Sequence, residues 1–464
     1  MATAAETPNS PFPRTFWTAN VVELFERAAY YSMASFVVIY LGRLGLGDYW
    51  PSNLNGFLWF LVYFLPILSG TIADYVGFRR ALLVAFVLLT VGYFLMGYPV
   101  WLGGVELLAT PSAEVTAGPG VMVPVLLALL LIGIGGSVIK PCISGTVQKT
   151  HAGRATLAFA IFYMVINIGS LVGRVVGFSV RNYWSDLSLI FGVAMVAAVL
   201  AFFLVLFVYR DTELPAGESK PKKSIGRILL DMVLVLGNLR FALFLLVSSG
   251  FWFLYNQVYN VLPLYVKKVV EVSPAMDLYT AANPIVIVVF QLLITKQFGK
   301  MQPIRSIVIG TVIIGLSMVV NLIPFMLPGG VRSAGIGIGA IVVPMGSLFI
   351  ILTVALIAFG ELFTSPRTYE WIGALAPKGQ EGLFLGYANL PMAIGSLVGG
   401  PVGAFIFNDI MCKNATKTPE GLFELDSAAA TRGWLILMTI GFLSALSMWL
   451  YNRWLKSHPA PSVA

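Results

Sequence analysis

The sequence predicts an all-α membrane protein of twelve transmembrane helices arranged in two six-helix bundles. Three observations predict it. Of 464 residues, 58% are hydrophobic and only 11% are charged, where soluble domains carry roughly 25% charged residues. The apolar residues fall into twelve runs, each long enough to cross a ~30 Å hydrocarbon core as a helix. A single long, charged, proline-containing stretch, RDTELPAGESKPKKSIGR at 210–227, separates six runs from six.

The runs lie near residues 15–42, 53–74, 79–98, 121–148, 155–180, 187–209, 240–265, 275–297, 303–327, 345–371, 380–407 and 433–455. They define a polar, disordered tail at 1–14, a first bundle at 15–209, a linker at 210–239, a second bundle at 240–457 and a tail at 458–464. The first helix, not a signal peptide, is expected to direct insertion. Within the linker, LLDMVLVLGNL reads as an amphipathic segment lying along the inner face. Starting from a cytoplasmic N-terminus, the inner loops and tails hold sixteen Lys and Arg, the outer loops eight and the spans five, which accounts for all 29. That asymmetry places both termini in the cytoplasm of a plasma (inner) membrane. It also explains the net charge of +8 without nucleic acid as a partner; the expected surroundings are a lipid bilayer, and a monomer is expected. Cys142 and Cys412 provide no disulfide framework.

The first span carries the stretch VVELFERAAYY at 21–31. Glu23, Glu26, Arg27 and Tyr30 share one helix face at i, i+3, i+4 and i+7. Arg27 lies about 16 Å past Phe16, near the middle of the bilayer. A charge there costs ~2.5–3.5 kcal/mol or more, so the stripe must face protein or a water-filled cavity. A structural Glu23–Arg27 pair is the plain alternative, but buried pairs stabilise poorly against apolar replacements.

Other spans add polar groups. Lys140 precedes Pro141 on span 4, and Glu361 lies inside span 10. Arg174 on span 5 is expected close to the outer end, where a long side chain can snorkel. Arg240 and Arg367 read as anchors at cytoplasmic ends. Asn167, Asn256, Gln257, Asn283 and Ser365 are uncharged polar groups within spans, which serve as interhelical hydrogen bonds or as ligand contacts. Three carboxylates (Glu23, Glu26, Glu361) then stand against two firm cations (Arg27, Lys140). The excess negative charge favours uptake of a proton. A solute with a carboxylate at one end and an ammonium at the other would bridge the halves in one orientation.

Between spans 2 and 3 the loop reads Gly70-TIA-Asp74-YV-Gly77-F-Arg79-Arg80. An acid at a helix end, a glycine turn and paired arginines can cap neighbouring helix termini and latch one conformation. The loop resembles the signature of the major facilitator superfamily. The counterpart at 296–305, KQFGKMQPIR, lacks the acid. Six helices plus six with a central linker is the architecture of two bundles that rock around a midplane site.

More specifically, the chain resembles the proton-dependent oligopeptide transporter family within that superfamily. The E-x-x-E-R motif is present as Glu23, Glu26 and Arg27, followed by Tyr30 and Tyr31. F-Y-x-x-I-N-x-G is complete as Phe162, Tyr163, Ile166, Asn167 and Gly169. Lys140 before proline, Trp252 and Gln257 on helix 7, Asn283–Pro284 on helix 8, and Glu361, Ser365 and Pro366 on helix 10 complete the likeness.

The resemblance implies that Arg27 and Lys140 hold a peptide's carboxylate, with Glu361 and Asn283 near its amino terminus. It implies that Glu23 and Glu26 couple proton binding to that grip by competing for Arg27. Tyr30, Tyr63, Asn167, Trp252 and Ser365 would line the pocket. The expected function is proton-coupled import of di- and tripeptides by alternating access, with the proton as coupling ion and no cofactor or metal.

Three departures stand out. Ala34 and Asn256 occupy positions where peptide-transporting members often carry an arginine–glutamate pair. The two extra helices common in bacterial members are missing, and Ala28 replaces a bulky aromatic. The first departure motivates an alternative cargo on the same fold, such as nitrate, an amino-acid-like metabolite or a drug. An enzyme is not expected: His151 and His458 lie at inner-face ends, and neither H-E-x-x-H nor a nucleophile elbow occurs.

Overall fold

The computed structural model describes residues 11–150, 155–184, 186–211, 225–338, 341–375 and 387–458. Most of the two tails and of the linker, 212–224, falls outside these residues. In chain order the helices are α1 (Arg14–Ala34), α2 (Val37–Arg43), α3 (Trp50–Phe64), α4 (Pro66–Val76), α5 (Phe78–Trp101), α6 (Pro119–Thr150), α7 (Ala155–Trp184) and α8 (Leu189–Phe207). After the linker come α9 (Ile225–Leu236), α10 (Leu239–Asn256), α11 (Val261–Tyr265), α12 (Met276–Thr280), α13 (Ala282–Phe298), α14 (Pro303–Val319), α15 (Ile323–Met326) and α16 (Met345–Leu375). The last two are α17 (Leu390–Phe405) and α18 (Ser427–Ser457). Two small antiparallel hairpins, Ala334–Ile338 with Ile341–Pro344 and Thr416–Lys417 with Phe423–Glu424, interrupt the helical pattern in loops.

Among the described residues, ten helices are long and apolar enough to cross a membrane, which makes this an integral multi-pass membrane protein. The expected spans at 15–42 and 275–297 are not among the ten. In the first, three charges lower the hydropathy and the helix breaks after Ala34. In the second, the apolar helix Met276–Gln291 is shorter.

The chain forms two compact units. The first comprises 1–34, 61–106 and 118–230; the second comprises 35–60, 107–117 and 231–464. The units therefore interleave in sequence, with residues 35–60 packed into the second.

In the first unit, α1 runs along α7 through a ridge of glycines. A side chain at Gly169, Gly173 or Gly177 would collide with Leu24 and Arg27, with Ala28, or with Ser32. Spaced four residues apart, these positions let two backbones come into contact. Gly173 lies against the backbone of Ala28, the position where the resemblance leads one to expect an aromatic.

The loop between α4 and α5 turns at Gly77, whose φ of +95° suits glycine. Arg79 there donates through Nη2 to Leu206 O at 2.6 Å, and its backbone N–H donates to Asp211 at 2.9 Å. It thus caps the carbonyl end of α8. Arg80 is exposed, and the Asp74 side chain lies outside the described atoms.

In the second unit, Arg367 does the same for α13, donating to Phe298 O and Gly299 O at 3.0 and 2.7 Å. The sequence reading of Arg367 as a simple anchor is corrected: it is a helix cap.

Candidate functional site

In the first unit, Glu23, Glu26 and Arg27 are all buried on α1. The Arg27 Nε lies 3.3 Å from Glu23 Oε1 and donates to Glu26 Oε2. One guanidinium therefore faces two carboxylates. Its carbon lies 5.6 Å from the centre of the Tyr30 ring. Gly169 of the F-Y-x-x-I-N-x-G motif fits against the Arg27 stem, so α7 pins the arginine from behind.

Lys140, half-buried on α6, is within electrostatic reach of Glu23. Among the described residues it makes no hydrogen bond or ion pair. Tyr63, buried on α3, is within electrostatic reach of Arg27. The Asn167 side chain donates to Tyr163 O at 2.9 Å, one turn back along α7.

One residue of this unit was not singled out from the sequence. Tyr93 on α5 is wholly buried within electrostatic reach of Glu26 and Arg27, and its hydroxyl has no hydrogen-bond partner. Nothing in its apolar segment set it apart.

Arg174 was singled out, but the expectation of a snorkelling end residue is overturned. Arg174 is 0% exposed. Its guanidinium carbon lies 4.4 Å from the Tyr31 ring centre, and Nη1 donates to Ser170 O at 3.2 Å. Because α7 continues ten residues to Trp184, Arg174 sits ~15 Å from the helix end, too deep for its head to reach water.

In the second unit, Asn283 Nδ2 donates to Glu361 Oε2 at 3.2 Å, which brings together two of the predicted residues. Trp252 is buried, in edge contact with Tyr255 at 5.3 Å between ring centres, and its indole N–H has no partner. The buried Ser365 hydroxyl is likewise unpartnered.

Asn256 belongs to a buried amide chain that sequence reasoning did not foresee. Asn55 donates to Asn260 Oδ1 and Tyr259 O, both at 3.0 Å, and Asn260 donates to Asn256. Gln257 donates to Gly399 O at 3.2 Å. An uncharged asparagine network thus occupies the position where the resemblance leads one to expect a glutamate. Asp277, also missed, is 0% exposed.

Adding Arg174 and Asp277 revises the charge count made from sequence. Among the described residues, Glu23, Glu26, Arg27 and Arg174 of the first unit and Asp277 of the second are buried, while Lys140 and Glu361 are half-buried.

The family model "Major Facilitator Superfamily" matches residues 18–348. "Uncharacterized transporter YclF" of Bacillus subtilis is 24% identical over 79% of this chain and 82% of that protein. "Dipeptide and tripeptide permease B" of Aliivibrio fischeri is 28% identical over 41% of this chain and 36% of that protein. The crystal structure of a "peptide transporter POT in complex with sulfate" superposes with a TM-score of 0.71 at 19% identity, covering 97% of each chain.

Proposed function

Since the chain belongs to the Major Facilitator Superfamily, we propose that it is a proton-coupled symporter that imports di- and tripeptides by alternating access. It is a transporter and not an enzyme. The observation that carries this reading is the buried competition for Arg27 between Glu23 and Glu26, with Lys140 unpaired beside them.

With both glutamates ionised, Arg27 is occupied. Protonation of one of them frees a guanidinium edge, which with Lys140 takes the peptide carboxylate. Loss of the proton lets the glutamate recapture Arg27 and expel the peptide. Proton and peptide are then bound together and released together, which is symport. Glu361, oriented by Asn283, takes the peptide ammonium, and Tyr30, Tyr63, Asn167, Trp252 and Ser365 line the pocket.

A similar permease of dipeptides and tripeptides and a structurally similar peptide transporter holding sulfate support this reading. The proton is the coupling ion, no cofactor takes part, and the protein works as a monomer in the plasma membrane with both termini cytoplasmic. Arg79 and Arg80, with Asp74, form the latch at the inner face.

Competition against labelled dialanine uptake into proteoliposomes tests the cargo. Free dialanine should compete, whereas N-acetyl-dialanine and dialanine amide should each compete about tenfold or more weakly, since each removes a charged end. Equal competition by all three, or by nitrate alone, contradicts the assignment.

A further inference from the structure

We propose that the second unit carries a site for one anionic phospholipid, at the end of the membrane that the charge distribution assigns to the cytoplasm. A cavity of about 550 Å³ opens between the start of α14 and the end of α18. Arg305 of α14 and Arg453 and Lys456 of α18 line it, together with Asn452 and Trp449. Among the described residues, no carboxylate lines it. Three cations around one cavity repel each other, and a phosphate relieves that repulsion while accepting hydrogen bonds from each.

Trp449 gives the site a fixed wall. The Arg453 guanidinium carbon lies 4.9 Å from its ring centre, which holds that planar donor group in place.

The apolar surroundings select a lipid over a soluble phosphate. Met301, Val308 and Ile309 complete the lining. From the cavity, exposed Leu450, Leu446 and Leu443 continue along α18, and Ile309 and Leu316 along α14. A basic mouth leading onto an exposed apolar track fits an amphiphile, with its phosphate among the cations and its acyl chains along the leucines. The site uses none of the residues assigned to transport, so it stands apart from the cargo reading. It does rest on the proposed orientation for its leaflet.

Native mass spectrometry of the purified full chain tests the site, with phosphatidylglycerol or phosphatidylcholine of matched acyl chains added to the detergent. The wild-type protein should retain phosphatidylglycerol at least about tenfold better. At about fivefold per cation, the triple variant R305Q/R453Q/K456Q should bind the two lipids equally. If the triple variant does not fold, the single variant Arg453→Gln should cost about fivefold on its own. Equal retention of both lipids by the wild type overturns the proposal, as does undiminished preference in the variants. Displacement of phosphatidylglycerol by millimolar inorganic phosphate also overturns it, because it marks a soluble-anion site.

Discussion

Arg174 lies against the face of Tyr31, its guanidinium carbon 4.4 Å from the ring centre, with no part of the residue exposed. Tyr31 in turn meets Tyr30 edge-on at 5.4 Å, and Arg27 lies 5.6 Å from the centre of Tyr30. Two cations thus flank a tyrosine pair on the face that grips the proposed carboxylate. A buried cation–π contact contributes up to ~2 kcal/mol. Arg174→Met and Tyr31→Leu should each raise the KM for dialanine about fivefold with little change in maximal rate. Because both break one contact, the double variant should stay near the singles, and Tyr31→Phe should resemble wild type. KM values for the four variants check this; effects that multiply would show that the two residues act separately.

The glycine ridge of α7 makes a prediction about stability. At Gly173 a side chain meets the Ala28 backbone, whereas at Gly118 it meets nothing within 4 Å. Gly173→Val should cost about 1–3 kcal/mol through overpacking. Gly118→Ala should stay within about 0.5 kcal/mol. Denaturation in detergent distinguishes the two.

Asp48 and Lys268 form an ion pair in the second unit, with side chains 18% and 9% exposed. The Lys268 ammonium also lies 5.8 and 5.9 Å from the ring centres of Phe407 and Phe423. Nearby, Tyr49 donates to Asp409 at 2.5 Å and Asn408 donates to Asp48 O at 3.0 Å. Lys268→Met leaves the Asp48 carboxylate without its cation. It should cost about 2 kcal/mol, less than the ~3–5 of a fully buried pair because Asp48 keeps some contact with water. Exchanging the charges with D48K/K268D should recover at least half of that, measured as the unfolding midpoint.

Much of this was legible in the sequence because it was written in rare residues. Glu23, Glu26, Arg27, Lys140 and Glu361 stand out where charges are expensive, and helical periodicity put the first three on one face. The Asn283–Glu361 contact joined residues already singled out. What escaped depended on distance through space. Arg174 was misplaced because the end of α7 lies beyond the apolar run that marked it. Arg367 became a cap only once the end of α13 was located beside it. The Asn55–Asn260–Asn256 chain links residues some two hundred positions apart, and no local pattern pairs amides across that separation. Tyr93 sits in an apolar segment like any core aromatic.

Glu26→Gln removes the carboxylate that accepts from Arg27 but keeps the shape of the side chain. Exchange of labelled for unlabelled dialanine across a proteoliposome membrane should continue within about threefold of wild type, since the carboxylate grip remains. Accumulation against a gradient should be lost. Retained accumulation would move the coupling role to Glu23.

The most direct test applies an outside-acid pH gradient to proteoliposomes of the wild-type protein and follows labelled dialanine. The account predicts accumulation above the external concentration, abolished by a protonophore and absent at equal pH. Uptake that merely equilibrates, and is the same with or without the gradient, would contradict it.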